Sequence, residues 1–277
     1  MSFAHIAAYS ITEIMAAQSV HNELNSALAG AATLIACAFT LSTFDRWLRR
    51  RQPHELAWTI AMALFALGSG ALWWAESSGW NLMAFRIFFL AGAVLNVAWL
   101  ALGTLYLLIG LRAGNIARNW LVWLSGFATG VVLIAPTKSQ VVSTEFPAGR
   151  EIFGAAPRIL AAVGSGVPAM FIIVGALWSA WRVVKKQNPA ASKSITRTVT
   201  SPKRLAGGNV LIAVGTLVLS ASGTLAGRLG QDRAFAVTLL CGVSILFSGF
   251  LVAGNSTLNA SSTTKHLHPK LLRAANQ

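Results

Sequence analysis

Apolar residues come in long blocks, separated by short stretches rich in Arg, Lys, Gly, Pro and Ser. The blocks cover 24–44, 56–76, 82–111, 118–136, 157–182, 205–227 and 234–254. A helix needs about 20 apolar residues to cross a bilayer, so each block predicts one crossing. The period-two alternation of a transmembrane barrel is absent from them. Helices satisfy their own backbone groups where lipid offers no partner. The pattern predicts an all-α, polytopic membrane protein with a seven-helix domain over residues 24–254. The third and fifth blocks are longer than one crossing and should tilt or project. Residues 1–23 precede the domain, with Phe3, Ile6, Ile11, Ile14 and Met15 able to dip into the interface. Residues 255–277 read as a polar, disordered tail.

Charge sets the orientation. Of 22 Lys and Arg, sixteen fall in the first, third and fifth gaps and the tail. They include Arg46, Arg49, Arg50 and Arg51 in the first gap, and Arg112 and Arg118 in the third. Five fall on the other side, and Arg86 lies within a block. The positive-inside rule then puts the amino terminus outside and the carboxyl terminus in the cytoplasm. The net charge of +14 reads as helix orientation and contact with anionic headgroups, and nucleic acid is not an expected partner. The fifth gap, 183–204, reads as a mobile cytoplasmic loop. Two Asn-x-Ser/Thr patterns, at Asn255 and Asn259, fall on the cytoplasmic side and are discounted. The first 45 residues hold no Lys or Arg, so no secretory signal is expected.

Composition agrees: 55% of residues are hydrophobic, 11% are charged and the mean hydropathy is +0.61. So few charges cannot cover a soluble surface of this size. Cys37 and Cys241 sit at different depths in apolar blocks, so neither a disulfide nor a zinc site is expected.

The first three and last three blocks share an outline. Both sets open with a helix that leaves through aromatic and basic residues, Phe44-Asp45-Arg46-Trp47 and Trp178-Ser179-Ala180-Trp181-Arg182. Both second helices carry small residues, Gly68-Ser69-Gly70 and Ser220-Ala221-Ser222-Gly223, and both third helices a glycine, Gly92 and Gly242. With the fourth block as linker this is a 3+1+3 arrangement.

Candidate chemistry gathers at the outer end of the second and third blocks. Arg86 lies about one turn inside the third, and either snorkels to the interface or pairs with Glu76 across the Ser77-Ser78-Gly79 turn. Trp73, Trp74 and Trp80 surround that corner as belt residues or as the floor of an outward-facing pocket. The fourth gap, with Glu145, Arg150, Glu151 and Arg158, could cover such a pocket. Deeper, Asn96 and Asn209 could glue helices or meet a solute. Gly126-x-x-x-Gly130 and Gly223-x-x-x-Gly227 match a close-packing pattern. Gly164, Gly166 and Pro168 cluster in the fifth block, where Pro168 should kink the helix, as a fixed bend or as a hinge.

The spans contain no His, Lys or Asp. A bis-histidine haem site, a Schiff base or a proton relay across the core has no residues to build on. With no nucleophile–base pair, HExxH pattern or phosphate loop, no enzyme and no cofactor are expected.

The third block, FRIFFLAGAVLNVAWLALGTLYL, and the Gly-Asn-x-Leu-Ile-Ala run of the sixth resemble those of uncharacterised bacterial, actinobacterial-type seven-helix membrane proteins. That resemblance implies the bacterial cytoplasmic membrane and no particular activity. The topology is similar to 3+1+3 small-solute transporters, whose proline–glutamine dipeptide is absent here; Gln52-Pro53 is reversed. It is also similar to the seven-helix sensory regions of histidine kinases, without the kinase. The expectation is a transporter-like protein binding a small molecule. The rival is a sensor or assembly subunit acting through a cytoplasmic protein partner or a second copy.

Overall fold

A computed structural model describes residues 3–185, 202–229 and 235–252, and among these the chain is all helix apart from turns and the loop over 135–154. The helices are α1 Phe3–Arg50, α2 Pro53–Ser78, α3 Leu82–Leu108, α4 Leu111–Ile134, the single turn α5 Gly149–Ile152, α6 over 155–185, α7 Pro202–Leu229 and α8 Phe235–Val252. Six segments among the described residues are long and apolar enough to cross a membrane: Glu23–Arg50 of α1, α2, α3, α4, Ala155–Trp178 of α6, and α8. The chain is thus a multi-pass integral membrane protein. The sixth predicted span falls on α7, whose apolar stretch Val210–Ala221 is shorter. Residues 186–201 of the fifth gap and the tail 255–277 lie outside the described residues.

Local sequence explains the boundaries. Pro53 sits in the first turn of α2, where its missing N–H costs nothing. Gly79, at φ +91°, ends α2, and its N–H donates to the Ala75 carbonyl. Asn81 then caps α3 by accepting from the Ala84 N–H at 2.9 Å. The third gap is shorter than the sequence predicts. Gly110, at φ +111°, turns the chain within two residues, so Arg112 and Arg118 belong to the opening turns of α4 rather than to a loop. The Tyr106 ring covers Gly114, and its hydroxyl bonds to Asn115 Oδ1 at 2.9 Å, which fastens this turn.

Two helices depart from α geometry. Residues Phe89–Leu95 of α3 and Ala162–Gly166 of α6 are π-helical. In α3 the Asn96 N–H reaches back five residues to the Ala91 carbonyl. In α6 the π turn stands just before Pro168, which has no N–H to offer the Gly164 carbonyl four residues back. The irregularity expected around Gly164, Gly166 and Pro168 is therefore this widened turn.

Small residues bring the helices together. A Cβ on Gly68 of α2 would lie 3.1 Å from the Gly92 nitrogen of α3. One on Gly164 would lie 2.7 Å from the Val94 carbonyl oxygen, so the two π segments meet backbone to side. One on Gly215 of α7 would lie 2.7 Å from the Leu246 nitrogen of α8. Gly126 and Gly130 of α4 face open space, so that close-packing pattern joins no helices within the described chain. The buried core has one layer around Phe65, Phe85, Phe153 and Val243 and another around Phe39, Trp58, Met62 and Ile172.

Gly215→Ala should cost about 1–3 kcal/mol through overpacking. Gly126→Ala should instead stabilise by ~0.5–1 kcal/mol through helix propensity. Unfolding midpoints of the two purified variants, compared with the parent, give the signs.

Candidate functional site

The ends of the bundle differ. One, the basic end, carries Arg46, Arg49, Arg50 and Arg51 at the close of α1. The other, the loop end, carries the α2–α3 turn and residues 135–154. Most candidate residues lie at the loop end, and they do not converge on one cavity.

Arg86 does not pair with Glu76. Its Nη1 donates to the Leu133 carbonyl and its Nη2 to the Ala135 carbonyl at 2.7 Å. These are carbonyls at the carboxyl end of α4, which have no further N–H to accept. A guanidinium there also meets the negative end of the helix dipole. The expected pairing loses because a fork of two N–H groups fits two adjacent orphan carbonyls better than a carboxylate across a turn. Glu76 instead accepts from the Trp80 indole N–H at 3.2 Å.

Trp80 is buried. Its ring centroid is 5.2 Å from Phe146 and 5.8 Å from Phe88, both edge to face. Phe146 lies 5.3 Å from Phe235 of α8, and Phe153 stacks on Phe85 at 5.2 Å. Each such pair adds about 0.5–1.5 kcal/mol beyond its burial. The 135–154 loop holds the two phenylalanines in place. The Thr137–Phe153 bridge and the Lys138 N–H to the Ile152 carbonyl at 2.8 Å close the loop on itself, and the Trp80 N–H to the Ser143 carbonyl at 2.9 Å ties it to the α2–α3 turn. The loop does cover this end, as its position suggested, but through Phe146 and Phe153. Arg150 and Glu151 pair with each other on the surface at 3.3 Å. The result is an aromatic plug.

Trp73 and Trp74 point away from the plug. Trp73 packs along Gly30 of α1, and Trp74 is 60% exposed. Trp74 and Asn81 border an open groove of about 390 Å³ between α2 and α3, otherwise lined by apolar residues such as Leu67, Met83 and Ile87. On a membrane helix this face is lipid-exposed. Asn96 stands alone, ~15 Å along α3 from Arg86 at 1.5 Å per residue. It is buried just beyond the π turn, and its Oδ1 has no hydrogen-bond partner among the described residues. Trp99, one turn on, donates to Ser125 Oγ of α4 at 3.2 Å.

Hydroxyls inside the bundle are self-satisfied. Thr59, Ser69, Ser125, Ser165 and Thr216 each donate to the carbonyl four residues back. Among the described residues no three His, Cys, Asp or Glu side chains gather as a metal site. Cys37 and Cys241 are free and exposed.

The sequence reading passed over a second polar corner, at the basic end. There Arg46 Nε lies 3.5 Å from Glu55 Oε2, with Glu55 buried. The available signal was Glu55 itself, an acidic residue close behind Arg46 and the run Arg49-Arg50-Arg51.

In comparison with known proteins, no protein-family model and no curated protein matches the chain.

Arg86→Ala should lower stability by about 1–3 kcal/mol, because two α4 carbonyls lose charge-assisted bonds. Arg86→Lys should recover only part of this, since one ammonium cannot reproduce the fork. Thermal unfolding of both variants in detergent provides the comparison.

Proposed function

We propose that the chain is a non-enzymatic carrier of a small neutral solute in the bacterial cytoplasmic membrane, with the basic end in the cytoplasm. The observation that carries this reading is the contact between the two π turns, Gly164 against Val94. π turns concentrate at functional positions in helices. Two of them in contact give α3 and α6 a shared level at which each can change its winding. Asn96, directly after the first, supplies a buried amide oxygen seeking a donor. An uncharged amide suits a hydroxyl- or amide-bearing solute. Arg86, engaged by α4, has no part in solute binding in this reading.

The 3+1+3 reading gains support from a shared crossing. Gly68 of α2 meets Gly92 of α3, and Leu219 of α7 meets Gly242 of α8, at matching places in the two halves. In this scheme α7 is the remaining transmembrane helix, and α1–α3 rock against α6–α8. The aromatic plug of Trp80, Phe85, Phe146 and Phe153 closes the outer side. Phe39, Trp58 and Phe250 form the matching layer at the basic end, with Trp58 and Phe250 centroids 4.5 Å apart.

Single cysteines test the motion without knowledge of the solute. In a Cys37→Ser, Cys241→Ser background reconstituted in liposomes, Phe146→Cys should react with a membrane-impermeant maleimide from the outer side. Phe250→Cys should react from the inner side. Gly164→Ala, which pushes α6 off Val94, should slow both several-fold. Two cysteines that stay unreactive from both sides would leave a static bundle, and the sensor or assembly reading would replace the carrier.

A further inference from the structure

The corner at the basic end has a chemistry of its own. Glu55 is 3% exposed in the first turn of α2. From α1, Arg46 approaches it at 3.5 Å, and Arg50 adds a second positive charge to its surroundings. From its own helix, His54 Nε2 lies 3.8 Å from Glu55 Oε1, and the His54 ring packs edge to face on Trp58 at 5.2 Å. Trp58 also packs against Phe250 of α8 and Gly103 of α3. Six buried side-chain atoms among the described residues lack a hydrogen-bond partner, and three of them are here: Arg46 Nε, Glu55 Oε2 and Trp58 Nε1. An acid in the first turn of a helix is ordinary. An acid that is buried and charge-paired at a distance too long for a good hydrogen bond, with its Oε2 left unpartnered, is not.

We infer that this corner is a proton-binding site, with Glu55 the group that takes the proton and His54 the group through which it arrives. A metal ion is disfavoured by the guanidinium at 3.5 Å, and an anion by the carboxylate. A proton suits both. The ionised carboxylate holds Arg46, and so clasps α1 to α2. A hydronium gives its proton to the His54 imidazole and leaves as water; the imidazolium passes a proton to the Glu55 carboxylate and returns to neutral, which ends that attraction. Arg46, whose side chain is already 19% exposed, then turns to water. The His54 side chain is 16% exposed, against 4% for that of Glu55 3.8 Å away, and so reaches solvent more readily than the carboxyl does. The clasp thus ties the protonation state at the basic end to the packing of the first two helices. The inference does not rest on the carrier reading, since a sensor could use the same site.

The test is infrared difference spectroscopy of the full chain in liposomes, titrated over pH ~5–8, where an ordinary histidine changes charge. In the parent protein a protonated-carboxyl stretching band should grow as pH falls, and Glu55→Gln should lose it. Arg46→Gln should displace the titration from its parental position. Arg49→Gln, whose partner Asp45 is at the surface, should leave it in place. A band that persists in Glu55→Gln, a titration unmoved by Arg46→Gln, or a parent with no titrating carboxyl each overturns the proposal. If Glu55→Gln does not fold, the contrast between Arg46→Gln and Arg49→Gln decides alone. The readout needs no solute and no plug opening, so its failure is separate from failure of the carrier reading.

Discussion

Inside a bilayer a backbone carbonyl or N–H that leaves the helical ladder finds no water to replace its partner. Among the described residues the chain leaves regular α geometry twice, at Phe89–Leu95 and at Ala162–Gly166. It keeps its ladder by reaching one residue further, as the Asn96 N–H does to Ala91. The widened turns then need room, and glycine gives it. The missing side chain of Gly68 admits the Gly92 backbone, and that of Gly164 admits the Val94 carbonyl. Without hydrophobic attraction between helices in lipid, such close approach is what dispersion has to work with. The middle of the bundle therefore depends on where side chains are missing as much as on where they are.

Charge obeys the same economy at the ends. Arg86 satisfies carbonyls at the closing turn of α4, and Glu55 sits in the opening turn of α2. Each has the sign that its helix end favours. They differ in how well their polar atoms are matched. Both Arg86 Nη groups have carbonyl partners, which makes Arg86 a structural fastening. Glu55 and Arg46 face each other without good hydrogen-bond geometry, which leaves that corner free to exist in two states. Aromatic rings close the loop end through contacts that a loop supplies from outside the bundle.

The helices were legible because lipid imposes one length and one composition on them. The observed α2 and α3 start or end within a few residues of the predicted blocks. The turn at Gly110 was not, since a glycine with positive φ has the same letter as any other, and Arg112 and Arg118 looked like loop residues. Pro168 announced the irregularity in α6, because a missing N–H is written in the sequence. Its counterpart in α3 has no proline, and only the Ala91-Gly92-Ala93 run hinted at it. The residue types proposed for the pocket are plain in the sequence. Their partners were not legible, because Arg86 and the α4 carbonyls are 47 and 49 residues apart. Hydropathy says which residues share a depth, and not which neighbour stands beside them.

The two-residue connection at Ile109–Gly110 bears on how the chain is made. So tight a link leaves no slack for one helix to settle while the other waits in the insertion machinery. Arg112 and Arg118 hold the bend at the surface, and Trp99 reaches Ser125 across the pair. These two helices are therefore suited to enter the bilayer together, as a hairpin whose pairing needs no later part of the chain.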